Sequence, residues 1–303
     1  MLEVESSGHT PVLPRQVCDL LGVRCGDVVV DATVGLAGHA ALLAQQLGPE
    51  GVLVGLDVDP ANLAIAKETL AACEARVELV HANFAELPDA LAELNLPRVD
   101  VLLADLGVSS TQLDDGARGF SFQHDGPLDM RMDPRLKVTA SDLVNGLKEN
   151  DLSDVLYRNA QEFASRRIAK RICNVRRDGR ITTTGRLVRI ICDALHIADP
   201  NSRRSRIHPA TRTFLGLRMA VNEEIANLAA LLKQAPSLLA PDGRIGIIAF
   251  HSVEDRAVKI DFRERKKEEI YQLTNKRPIV AEADERAANP RSRSAKLRVA
   301  VRL

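Results

Sequence analysis

Three aspartates each lie at the end of an apolar, β-rich run in the first third of the chain. Asp31 follows Val28–Val30, Asp57 follows Val52–Leu56 and Asp105 follows Val99–Ala104. The first of them opens the segment DATVGLAGH (Asp31–His39). Its small residues, with Gly35 and Gly38, let the backbone turn tightly and let a nucleotide-type ligand approach a helix N-terminus. Two glycines after a strand are equally what a plain strand-to-helix turn contains. Asp57, however, lies 22 residues after Gly35, the spacing at which an acid meets ribose hydroxyls. Together these features point to an adenosine-bearing cofactor at the strand ends.

Other residues separate a nicotinamide from a sulfonium cofactor. Asp31 stands ahead of the glycines, where a carboxylate can meet a cationic amino group or order the turn. Phe84 follows the third β-rich run; its ring can cover adenine or simply fill core. No acid–base constellation of a dehydrogenase is visible. Residues 1–130 carry 6 Lys+Arg against 20 Asp+Glu, a charge that suits a cationic sulfonium better than a pyrophosphate. S-adenosyl-L-methionine is therefore the expected cofactor.

The reacting groups should lie at the ends of later strands. An exocyclic amine conjugated to a base ring is a poor nucleophile. A site that methylates one must position it and accept hydrogen bonds from its N–H groups. Asp105, a carbonyl near Leu106, and Ser109 or Ser110 are acceptors of the right type. The serines fit turn capping equally well. A second cluster, FHSVEDR (Phe250–Arg256), follows the apolar run Gly243–Ala249. There His251 can take a proton or hold the base, while Ser252 with Asp255 reads as an N-cap pair.

The elements that must position these groups follow from the pattern. Short β-rich runs alternate with helical stretches through the first hundred residues, which implies a parallel sheet covered on both faces. The pattern stops after Leu106. Ser109–Arg135 reads as an ordered loop, and three helical patterns follow. Leu152, Val155, Leu156, Phe163 and Ile172 form one amphipathic stretch. Leu187–Leu195 forms a second, capped by Thr184. The third starts at Pro209 and runs through Phe214, Leu217, Val221, Ile225 and Leu228. Strand signal returns at Gly243–Ala249 and Leu297–Leu303. The expected architecture is α/β, a doubly wound, Rossmann-like sheet formed by residues 1–112 and 213–303. An all-helical insert spans residues 113–212.

Formal net charge is zero, but residues 158–218 hold 15 Lys+Arg against 4 acids. More cations than solubility needs imply that the insert meets a polyanion. Arg166, Arg167, Lys170, Arg171, Arg176, Arg177 and the Arg203–Arg206 loop are the expected phosphate contacts. With no Trp and only 2 Tyr, nucleic-acid contact should lean on charge more than on stacking. The 5 cysteines form no CxxC pair, so neither a disulfide framework nor a thiolate metal site is expected. No metal is required by the chemistry. The start of the chain has no secretory pattern, and no apolar run reaches membrane-spanning length, so a cytoplasmic location without membrane attachment is expected.

Several long segments, in order, resemble the ribosomal RNA small subunit methyltransferase H family of bacterial 16S rRNA cytidine N4-methyltransferases. They are HTPVL (His9–Leu13), Asp31–His39, ADLGVSSTQLD (Ala104–Asp114), RGFSFQHDGPLDMRMD (Arg118–Asp133), HPATRTF (His208–Phe214), FHSVEDR, NKRPI (Asn275–Ile279) and NPRSRSAKLR (Asn289–Arg298). The resemblance implies a Rossmann-like methyltransferase body with an inserted helical domain and S-adenosyl-L-methionine as donor. It implies a decoding-region cytidine of 16S rRNA, within the small ribosomal subunit, as acceptor. By position it implies cofactor contacts at Ala37, Gly38, His39, Asp57, Phe84, Asp105 and Gln112. Leu36 and Ala37 stand where the family usually has more permissive residues, which constrains the turn. Leu215-Gly216 stands where relatives often carry Gln-Ala. The competing readings are a methyltransferase for another RNA or DNA amine, and an rRNA-binding assembly factor. Cofactor binding and loss of a single rRNA modification separate them. Oligomeric state is left open, a homodimer included.

Overall fold

The expected β-rich runs become strands of one sheet, β1 (Val28–Asp31), β2 (Val52–Asp57), β3 (Arg76–His81) and β4 (Val99–Asp105). The later part of the chain adds β5 (Leu239–Ala249), β6 (Tyr271–Leu273), β7 (Ile279–Val280) and β8 (Lys296–Arg302). These come from a computed structural model that describes residues 10–198 and 208–303. His9 and the Arg203–Arg206 loop therefore lie outside the described residues.

The strand order is β3-β2-β1-β4-β5-β8-β6, with β7 paired to β8. The first five strands are mutually parallel, and β8 runs antiparallel to β5. This is the doubly wound α/β architecture read from the sequence, with an antiparallel edge region that the sequence reading did not resolve. The strands are apolar on both sides because both faces are covered. Val29, Leu53, Val101 and Leu103 face one core, shared with Val17 and Leu21 of helix Pro14–Leu21 and with Leu43 of helix Gly38–Ala44. Val30, Val54, Leu102 and Ala104 face the other, with Val258 and Phe262 of helix Ser252–Lys267.

The chain divides into two compact units, 1–107 with 226–303, and 108–225. The sheet belongs to the first. The expected limits at 112/113 and 212/213 differ because helix Thr211–Val221 lies with the second unit. There a Cβ on Gly216 would meet Leu156 Cα at 3.3 Å, and Asn159 donates to the Gly216 carbonyl. The small residue at 216 thus permits a close helix contact.

Within the second unit several sequence expectations need correction. The stretch from Leu152 to Ile172 is two helices, Glu149–Ala160 and Ser165–Val175. Gln161 ends the first in the left-handed region, at φ 51°. Phe163 falls in the connection and is 76% exposed rather than inward. The next helix, Thr184–Leu195, is capped by Thr183, not Thr184, whose own side chain is buried. The third pattern breaks after Val221 because Glu223 takes the left-handed region at φ 50°. The Asn222 side chain accepts from Met132 N and donates to Met130 O. Helix Glu224–Leu238 begins beyond that break. The loop 109–135 contains a short helix, Ser110–Asp114, and is tied by Arg131 pairing with Asp129 and by Arg118 donating to two carbonyls. In the first unit, the Pro-Asp-Gly turn before β5 is an irregularity inside the strand. Asp242 takes φ 63°, and the pairing shifts between Val99 and Val101. Among the described residues no helix is long and apolar enough to cross a membrane.

Arg176, expected among the phosphate contacts, is committed inside the unit. It donates to the carbonyls of Val144 and Leu147 at the end of helix Ala140–Gly146. Arg176→Ala should lower stability by about 2 kcal/mol, because charged hydrogen bonds to otherwise orphaned carbonyls are lost. Urea unfolding checks this. Unchanged stability together with weaker RNA binding would return Arg176 to the phosphate set.

Candidate active site

In an open α/β sheet, ligands bind outside the carboxyl ends of the strands, where the strand order reverses. Here that point lies between β1 and β4, since the chain leaves β1 for β2 on one side and β4 occupies the other. Asp31, Asp57 and Asp105 are the last residues of β1, β2 and β4.

Asp31 is 1% exposed and accepts from Thr33 N. Burial first, and the neighbouring Asp57 charge after it, push its pKa up to about 7. Asp57 closes the turn: its carboxylate accepts from Gly35 N at 2.9 Å, from Asp59 N at 2.8 Å and from the Asn62 amide. Burial still pushes it up to about 6. The turn itself carries strain. Ala37, fully buried, takes φ 65° and ψ 24° just before helix Gly38–Ala44, a conformation that costs a non-glycine residue about 1–2 kcal/mol. The constraint that the sequence placed on this turn is therefore real, and it falls on Ala37.

Asp105 sits deepest in charge terms. Its N–H donates to Thr33 Oγ1, and its Oδ2 lies 3.6 Å from His39 Nδ1. His39 Nε2 lies 2.7 Å from the Val12 carbonyl, so it must be the donor there. That leaves Nδ1 facing Asp105 without a proton in the neutral ring. Asp105 Oδ1 is buried and, among the described residues, has no hydrogen-bond partner. Burial, then the charges of Asp31 and Glu254, hold this carboxyl well above the ordinary carboxylate range. Glu254 was not singled out in the sequence. Its signal was its place three residues after His251, at the start of a helix.

His251 is the N-cap of helix Ser252–Lys267, a role the sequence reading gave to Ser252. Its Nδ1 accepts from Glu254 N, and its Nε2 lies 3.1 Å from Glu254 Oε1. Glu254 in turn accepts from Phe250 N at 3.0 Å. Asp255 does not cap either. Burial would raise its pKa, but the Arg298 guanidinium and Lys296 of β8 bond to it and bring it below its ordinary value. Phe84 starts a short 3-10 turn after β3, capped by Asn83, and is half-buried against the second core. Ser109 and Gln112 belong to the second unit. They form a reciprocal capping box on helix Ser110–Asp114: Ser109 Oγ accepts from Gln112 N, and Gln112 Oε1 accepts from Ser109 N.

The first unit thus gathers Asp31, Asp57 and Asp105, with Glu254 adding its charge. Among the described residues no lysine or arginine pairs with the three aspartates. Buried carboxyls without a cation hold protons or wait for a positive ligand.

The sequence model of the MraW methylase family matches residues 6–303. The chain belongs to that family. The motifs that carried the resemblance in the sequence point the same way. A protein of Acidobacterium capsulatum named ribosomal RNA small subunit methyltransferase H is 44% identical, over 98% of this chain and 99% of its own length. One of the same name from Geobacter sulfurreducens is 45% identical, over 97% and 99%. Among solved structures, a putative rRNA methylase from Clostridium thermocellum covers 98% of this chain and 100% of its own. It has a TM-score of 0.46 and 13% identity. As a member of the MraW methylase family, the chain is a methyltransferase with S-adenosyl-L-methionine as cofactor. The residues present fit that group: its sulfonium and amino group are cationic, and among the described residues no lysine or arginine pairs with Asp31, Asp57 or Asp105.

Proposed function

We propose that the chain transfers the methyl group of S-adenosyl-L-methionine to the N4 amine of a cytidine in the decoding region of 16S rRNA, on the small ribosomal subunit. The carrying observation is Asp105, a half-buried carboxyl at the sheet's switch point with one oxygen orphaned. The names of relatives 44–45% identical over nearly the whole chain support the choice of rRNA.

When bound, the cofactor supplies a methyl group activated by positive sulfur. Asp57 holds the turn at Gly35 closed and offers its carboxylate to ribose hydroxyls. Asp31 balances the cationic amino group. The exposed part of the Phe84 ring covers the base. Gly38 and His39 set the start of the helix beneath. Asp105 accepts a hydrogen bond from the target amine, which orients the nitrogen lone pair for in-line attack. His251 acts as a positioning residue: its cap fixes Glu254, whose charge bears on Asp105. For Ser109 and Gln112 the capping box is the role their geometry supports. In the second unit, Arg166, Arg167, Lys170 and Arg177 are exposed and engage phosphates.

The test is transfer of labelled methyl from S-adenosyl-L-methionine to purified small subunits that lack the modification. Label should map by mass analysis to one N4-methylcytidine. Transfer to a different nucleotide, or none despite measurable cofactor binding, refutes the assignment.

A further inference from the structure

The second unit keeps a large aromatic ring in water. Phe163 is 76% exposed, and Tyr157, in the last turn of helix Glu149–Ala160, is 53% exposed. Their ring centroids lie 6.5 Å apart, edge to face. The Arg212 guanidinium, from the first turn of helix Thr211–Val221, lies 5.5 Å from the Phe163 ring centre. Phe163 contributes little to the core at this exposure, so its burial does not explain its place.

The same corner carries uncompensated charge. Arg166, Arg167 and Lys170 follow Phe163 on helix Ser165–Val175, and all are exposed. Among the described residues no carboxylate pairs with them or with Arg212. Arg166 with Lys170, and Arg167 with Arg171, are like charges four residues apart, a spacing that weakens a helix. Only Arg171 is neutralised, by Asp193 at 2.6 Å. Ile168, Ala169, Ile172 and Cys173 fill the buried face instead.

An apolar protein partner would leave these cations unmatched. A duplex would match the cations but present no free base face to the rings. An unpaired strand supplies both, since every base has a flat π-face and every linkage a phosphate. We propose that Tyr157, Phe163 and Arg212 form a stacking platform for an unpaired base of RNA, with Arg166, Arg167 and Lys170 holding the phosphates beside it. The inference rests on RNA being the substrate, and it adds to charge a stacking contact that composition argued against.

The chain contains no Trp, so Phe163→Trp installs a single fluorescent reporter at the platform. The full-length variant is titrated with a single-stranded RNA of about 10 nucleotides and with a duplex of the same length. Quenching by the single strand and not by the duplex is expected. Phe163→Ala should weaken single-strand binding about 5- to 100-fold, with unchanged melting temperature and unchanged salt dependence. Arg166→Gln should lower both affinity and salt slope. A bound strand that leaves the emission unchanged, or equal affinity in Phe163→Ala, overturns the platform. So does loss of binding to small subunits without loss on the oligonucleotide, which would assign the ring to a ribosomal protein. A parent chain that methylates small subunits yet binds no single-stranded RNA overturns the platform alone. A parent chain that methylates no rRNA refutes the function, while the titration still decides the platform.

Discussion

Asp105→Ala is expected to lower kcat for methyl transfer by about 100- to 1,000-fold, the effect of removing one preorganised hydrogen-bonding group aimed at developing charge. Asp105 closes β4 at the switch point, and its backbone is held by Thr33. A carboxyl placed so rigidly can accept from an amine and orient it without reorganising. The same variant series should show a trade. Asp105→Asn keeps the shape but removes a carboxyl whose ionised form is disfavoured by burial, Asp31 and Glu254. At pH 8 it should therefore be more stable than the parent, because the amide has no charged form to keep out of water. Single-turnover methyl transfer and urea unfolding check both halves. A kcat within 10-fold of the parent in Asp105→Ala would remove Asp105 from the amine's contacts, and lower stability in Asp105→Asn would contradict the disfavoured ionisation of Asp105.

Affinity for S-adenosyl-L-methionine should rise by about 100-fold between pH 5 and pH 8. Asp31 titrates near 7 and Asp57 near 6 in the folded protein, against an ordinary value of about 4. A cationic ligand favours their ionised forms. Below pH 7 a proton must leave Asp31 on binding, and two pH units below its pKa only about 1% is already ionised. Stability of the free protein runs the other way. A carboxyl whose folded pKa is raised binds its proton more tightly when folded, so its contribution to stability is greatest below pH 4. That contribution falls as pH rises toward 7, and is flat above. Calorimetry in buffers of different ionisation heat should detect proton release on binding near pH 6. Affinity flat from pH 5 to 8 would mean that neither aspartate meets the cation. S-adenosylhomocysteine, which keeps the amino group that Asp31 meets, should show a similar dependence, and a flat profile for it would move Asp31 from the amino group to the sulfonium.

Much of the site was legible because its signals are local. An apolar run that ends in an acid can be read residue by residue, and Asp31, Asp57 and Asp105 were found that way. The 22-residue step from Gly35 to Asp57 became a real bond, from Gly35 N to the Asp57 carboxylate. The caps were misread by one position at Thr183 and His251, because neighbouring residues of similar type compete for the same N–H groups. Glu254 was missed because its place after His251 marks a helix start and does not signal that its charge will bear on Asp105.

The sequence by itself determined the alternating α/β body, the acids at its strand ends, the basic helical insert and the family. Those depend on periodicity, spacing and motif, which survive without coordinates. Only the tertiary structure decided which charges are spent inside and which face water. Arg176 bonds to carbonyls 29 and 32 residues away, while Arg166 and Lys170 stay exposed on one helix face. It alone put Phe163 in solvent beside Arg212, where the helical period had put it in the core. It alone left Asp105 Oδ1 without a partner among the described residues. Each outcome depends on groups far apart in the chain meeting or failing to meet. That is set by packing, and a local pattern does not contain it.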